Sequence, residues 1–203
     1  MTLPAPSRSC RATLPVAALA LAALAGGAVA ETAVPRVENG ARFGAWTVAC
    51  EAVAVNETIC VLTQRLVEAE GQGFLTELLA FNDAELPQAW VVARVPLGVH
   101  FPGGFGLRPE AGEAAEAAEA GEAALAFEWQ SCAPQLCEAL LAVDAAALAR
   151  LERAEGAIAG YVPAPGADPL LFRVATEGLG AGLAALAVAL GQPGVAAAEG
   201  ASE

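Results

Sequence analysis

The sequence contains no lysine, one histidine and one tyrosine. Without lysine there is no Schiff-base chemistry. A lone His100 cannot build a histidine-rich metal site. Beyond residue 30 only two serines remain, Ser131 and Ser202. A serine–histidine–acid triad would have to join His100 to Ser131, and no nucleophile elbow surrounds either serine. Cys132 and Cys137 lack the two-residue spacing of a redox dithiol. Carboxylates are plentiful, so a catalytic acid pair stays open on composition alone. Glu77, Glu128 and Glu138, however, fall on strand-like runs, where charged side chains face water. These absences lead to the expectation of a non-enzymatic protein with no cofactor and no metal.

Basic charge is also scarce. Ten arginines stand against 23 acidic residues in 203 residues, a net charge of −13. Two of the arginines, Arg8 and Arg11, precede an apolar run over residues 14–30 that ends Ala28-Val29-Ala30. A short basic stretch, an apolar stretch and small residues at the end form the pattern of an export signal, with cleavage expected near Ala30. The run is short and alanine-rich for a transmembrane helix, and no span is expected in the mature chain. Cys10 lies before the run, on the wrong side for a lipidated cysteine. Residues 31–203 keep eight arginines and all 23 acids, a net charge of −15. Such a chain repels phosphate backbones and anionic lipid, so nucleic acid is not an expected partner.

Four cysteines remain after the signal, Cys50, Cys60, Cys132 and Cys137. An even count in an exported chain implies disulfides, with three possible connectivities. The short separations favour Cys50–Cys60 and Cys132–Cys137, each stapling a hairpin or its turn. Four thiolates on one zinc would need other spacings.

The remaining pattern is largely that of short strands. Trp46, Val48 and Cys50 alternate with smaller or polar neighbours, as do Cys60, Leu62 and Leu66. GFLTELLAF and AWVVARV read as two more strands separated by the turn-forming NDAELPQ. LAFEWQSC, LCEALLAV, AIAGYV and PLLFRVAT continue the series. Asp144 caps a short helix expected to end at Gly156, and Leu179, Leu183, Leu186 and Leu190 fall on one face of a second helix. The fold class expected is all-β, an antiparallel β-sandwich or flattened barrel with one or two short helices, stapled by disulfides.

Two stretches interrupt the strands. VPLGVHFPGGFGL, residues 95–107, mixes two prolines and four glycines with apolar residues and reads as a structural corner, with His100 on its surface. Residues 109–124 are an Ala/Glu segment with five glutamates spaced by three. Nothing in it can be buried to advantage, so an exposed loop is expected. A three-residue spacing drifts around a helix instead of converging on one calcium ion. The chain then divides into a signal (1–30), a short extension (31–42), a β domain (43–190) and a loose tail (191–203).

FGAWTVACE, ICVLTQ, VPLGVHFPGGFGL, FEWQSCAPQLCEALL and ATEGLGAGLAAL, in that order, resemble the invasion-associated locus B family, small exported proteins of Gram-negative bacteria. The Trp-x-Val-x-Cys strand is matched by Trp46, Val48 and Cys50, and the Cys-x-Leu-x-Gln strand by Cys60, Leu62 and Gln64. Pro96, Leu97, Gly98 and Val99 match the family's corner, and Cys132 and Cys137 its paired-cysteine segment. Leu136 stands where the family usually has glycine, Leu179 where an aromatic is common, and the acidic insert is long. The resemblance implies an exported, disulfide-bonded, all-β protein and brings no reaction or cofactor. It frames three functional expectations. The first is a periplasmic or envelope protein that binds a protein or envelope partner. The second is a secreted or surface protein acting directly in host-cell adhesion or invasion. The third is a small-ligand carrier or an enzyme.

Overall fold

The computed structural model describes residues 37–55, 57–69, 73–110 and 124–195. The expected export signal, the first half of the extension (31–36), the core of the Ala/Glu segment and the end of the tail lie outside the described residues.

Ten strands form one antiparallel sheet curled into a half-barrel. In chain order they are β1 (Arg42–Phe43), β2 (Trp46–Ala54), β3 (Glu57–Val67), β4 (Phe74–Asn82), β5 (Ala89–Pro96), β6 (Phe105–Pro109), β7 (Leu125–Cys132), β8 (Leu136–Val143), β9 (Ala157–Tyr161) and β10 (Leu170–Val174). Their spatial order is β1-β2-β3-β4-β5-β8-β7-β6-β9-β10. Helix α1 (Ala145–Arg153) follows β8, and α2 (Leu179–Leu190) follows β10. This is the curled, flattened-barrel form of the expected all-β class.

Two-residue alternation decides which side of each strand is buried. Ala89, Val91, Ala93 and Val95 of β5 face inward, opposite Cys137, Ala139, Leu141 and Val143 of β8. Trp46, Val48 and Leu62 continue the buried face across β2 and β3. Many inward positions are alanine, which leaves room for α2 to lie in the hollow. Gly182 makes that approach possible: a Cβ there would stand 2.7 Å from the Leu62 side chain. Leu179, Leu183 and Leu186 of α2 are buried against the sheet, whereas Leu190, expected on the same face, is exposed at the helix end. The other end of the hollow is aromatic. Phe105 meets Phe127 edge-on at 4.8 Å between ring centres, with Tyr161 at 6.2 Å and Phe172 at 6.4 Å.

Two boundaries differ from the sequence reading. The Asp144 carboxylate accepts from the Ala147 amide at 2.7 Å, so the cap is where it was expected, but α1 ends at Arg153 with Ala154 extended. Gly156 is not its C-cap. It is kept small because a Cβ would stand 2.8 Å from the Glu110 carboxylate and 3.0 Å from the Arg173 guanidinium. The corner is also shorter than residues 95–107, because Phe105 already begins β6, paired with β7 on one side and β9 on the other.

Candidate functional site

Each of the four cysteines lies directly opposite its partner on adjacent antiparallel strands. Cys50 of β2 pairs with Cys60 of β3, and Cys132 of β7 with Cys137 of β8. Both pairs are disulfides, with sequence separations of 10 and 5. The Cys132–Cys137 hairpin closes with the Ala133 amide donating to the Leu136 carbonyl at 2.9 Å. Leu136, in the position where glycine was anticipated, lies in β8 opposite Pro96 and needs no glycine conformation.

The corner is built by backbone geometry. Gly98 has φ of +96°, the left-handed region that favours glycine. It reverses the chain after β5, leaving Leu97 half exposed and Val99 packed on the core. The His100 amide donates to the Val162 carbonyl at 2.8 Å, and residues Phe101–Gly103 make one tight helical turn. Gly103 is pressed on Val162, where a Cβ would come within 2.6 Å of a methyl group. Phe101 stacks obliquely on Trp129 at 5.2 Å, and the Trp129 indole donates to the Phe101 carbonyl. Pro96, Leu97, Gly98 and Val99 therefore form a structural bend. Trp46 is buried in the core, and its indole N–H finds no acceptor among the described residues.

One side chain with a defined task was missed in the sequence reading. Gln64 lies on the buried face of β3, between Leu62 and Leu66. Its amide nitrogen donates to the Ala175 carbonyl at 2.9 Å, and its carbonyl oxygen accepts from the Ala175 amide at 3.0 Å. This two-way bond ties β3 to the chain between β10 and α2. The available signal was a polar residue in the register of a buried face, a position that demands a partner. Asn82 ties β4 to α2 by a single bond, donating to the Leu183 carbonyl at 2.8 Å, while its Oδ1 is buried with no partner among the described residues.

The outer face carries a row of alternating charge. Arg65, Glu77, Arg94 and Glu138 are neighbours across β3, β4, β5 and β8. Arg94 bonds Glu138 at 2.8 Å and reaches Glu77 at 3.4 Å. Burial acts to lower the Arg94 pKa, but the two carboxylates outweigh it and the net direction is upward. Arg65 lies over the Phe74 ring at 4.8 Å. At the β4–β5 turn, Asp83 accepts from the Glu85 and Leu86 amides and from the Trp90 indole, and these bonds hold its pKa at about 2. Burial raises the Tyr161 pKa, and the Glu68 carboxylate adds to the rise. An open apolar groove of about 550 Å³ runs between α2 and the first strand, lined by Val37, Ala41, Phe43, Ala184, Ala185 and Val188, with Glu38 at its edge. Among the described residues no three His, Cys, Asp or Glu side chains converge as metal ligands.

This succession of strands and staples matches the model of the invasion associated locus B (IalB) protein family over residues 46–187. The chain belongs to that family. A solved structure, invasion associated protein b from Bartonella henselae, shares the fold with a TM-score of 0.58 and 19% identity. The match covers 74% of this chain and 95% of that one. Among curated proteins, none matches the chain. The family's marker residues can now be read physically: Trp46, Val48 and Leu62 are core, Cys50 and Cys60 a staple, Gln64 a tie across the shell. Disulfides persist in oxidising compartments, so the two staples and the family together indicate an extracytoplasmic protein. No helix among the described residues is long and apolar enough to cross a membrane.

Proposed function

We propose that this family member is an exported, non-enzymatic protein of the periplasm or cell envelope that acts by binding a protein partner. The observation that carries the reading is where the chemically capable side chains are engaged. Gln64, Asn82, Asp83, Arg94, Glu138, Asp144 and Tyr161 are each bonded to a neighbouring strand, turn or helix. Side chains so used hold a rigid surface together. Release into the envelope follows removal of the signal near Ala30. Crosslinking in intact cells, followed by purification from both envelope and culture medium, tests this reading. A reproducible envelope protein recovered with the chain supports it. Abundant chain in the medium with no companion overturns it.

A second reading is supported by the name of the Bartonella protein, which associates that protein with invasion. On that reading the chain is secreted or surface-exposed and contributes directly to host-cell adhesion. Protease shaving of intact cells separates the two, because only a surface protein is cut. A third reading, a small-ligand carrier, draws on the groove beside α2. A bound lipid-like molecule released on denaturing the purified protein would favour it.

A further inference from the structure

The β2–β3 hairpin is longer than the sheet that holds it. Strand β4 pairs with β3 only from Leu62 onward, and β1 pairs with β2 only at Trp46 and Thr47. The segment before β1 reaches Val48 through backbone bonds and Cys50 through the Asn39 side chain. Past the Cys50–Cys60 pair, Glu51–Ala54 and Glu57–Ile59 are hydrogen-bonded to each other alone among the described residues. They form a two-stranded arm with both edges open. Isolated two-stranded hairpins are marginal in water. Here the disulfide clamps the arm at the point where it leaves the sheet.

The arm carries the most exposed large apolar side chain among the described residues. Val55 at its turn is 91% exposed, with Val53 at 49% and Ile59 at 48%. Clustered exposed apolar groups on a rigid projection mark an interaction surface. Its charge is one-signed: Glu51 and Glu57 flank the apolar residues, and no basic residue occurs between Arg42 and Arg65. A second copy of this chain is a poor match, since it brings the same acidic excess. An anionic lipid surface is equally poor.

We infer that the disulfide-clamped arm of residues 51–55 and 57–59 is the docking element, inserting Val53, Val55 and Ile59 into an apolar cleft of a partner protein whose rim carries lysine or arginine against Glu51 and Glu57. This rests on the partner-binding reading above and assigns it a surface. The clamp matters because an arm already ordered loses less conformational freedom on docking.

The test places a photocrosslinking residue singly at Val53, Val55 or Ile59 of the full chain in cells of the source bacterium, and at Leu171 and Val188 as exposed apolar controls. The expected result is one discrete protein adduct from the arm positions. The same protein, identified and purified, should bind the wild-type chain and bind Val55→Asp at least about tenfold more weakly, as loss of a central apolar anchor requires. Glu51→Arg with Glu57→Arg should slow association and remove its salt dependence. Thermal melts of all variants confirm that they fold. Adducts at Leu171 or Val188 with a silent arm overturn the arm assignment and leave partner binding standing. No adduct at any position overturns both. Val55-dependent flotation with phosphatidylglycerol–phosphatidylethanolamine vesicles, without a protein adduct, replaces the protein partner by a membrane.

Discussion

The two stapled hairpins look alike in sequence and differ in what surrounds the staple. The Cys132–Cys137 hairpin is held along one whole edge: β8 pairs with β5 from Leu136 to Val143, and Cys137 is fully buried in the core, although Cys132 at the end of β7 is exposed. The Cys50–Cys60 hairpin is held only up to its staple, and among the described residues no further strand pairs with either edge of its outer half. The same bond therefore secures packed structure in one place and an isolated projection in the other. A disulfide's worth to a fold depends on whether the chain it closes is ordered by anything else.

The largest effect of a single substitution is expected at Gln64, on the sheet-bound half of the first hairpin. Gln64→Leu removes both bonds to Ala175 and leaves its half-buried amide and carbonyl unpaired, a loss of about 2 kcal/mol. Denaturant unfolding measures it, and a loss below about 1 kcal/mol would show that water replaces the tie.

The staples themselves sharpen the comparison. Loop closure alone assigns about 2.7 kcal/mol to the ten-residue loop and about 2.1 kcal/mol to the five-residue one. The structure reverses that order. Without Cys50 and Cys60 the arm frays in the native state too, so part of the unfolded chain's gain is matched and the global loss falls below the loop value. Replacing Cys132 and Cys137 by alanine adds a defect in the core and exceeds its loop value. Hydrogen exchange gives the finer reading: the first double variant should speed exchange in residues 51–59 alone, the second across β5, β7 and β8. Equal global losses with no local difference would break the comparison.

A smaller effect belongs to the β4–β5 turn, outside both hairpins. The Asp83 carboxyl titrates at about 2 against an ordinary 3.8. A carboxyl lowered by folding stabilises the native state above its unfolded pKa, and that contribution disappears as pH falls from 3.8 through about 2. Melting temperature should therefore drop over this window, and Asp83→Asn should reduce the drop. An unchanged slope in the variant would assign the acid sensitivity elsewhere. The smallest effect is on the arm tip, where Val55→Asp should change stability by less than about 0.5 kcal/mol while it weakens docking at least about tenfold.

What the sequence made legible follows from the range of each signal. Alternation in TICVLTQRLV, AWVVARV and LCEALLAV located three central strands, and the short cysteine separations located both staples. These are neighbour effects, fixed within a few residues. Asp144 announced the start of α1 for the same reason, but its end is set by the contact of Gly156 with Glu110 and Arg173, residues distant in the chain. The place of β6 between β7 and β9 is likewise a long-range choice. The arm was hidden because β2 and β3 read as ordinary strands: it differs in having no further strand beside it beyond Cys50 and Cys60 among the described residues, and neighbours are not written locally.

The tie between Gln64 and Ala175 also bears on the order of events in the protein's life. Its two ends are 111 residues apart in the chain. The meander β1–β5 can pair locally as soon as it emerges, yet the contact that shuts the shell must wait for nearly the entire polypeptide. Until then the inward alanines and leucines have no helix to cover them. A chain built this way stays open until almost all of it is present, which on the export reading proposed above would leave it loose enough to be delivered before it closes.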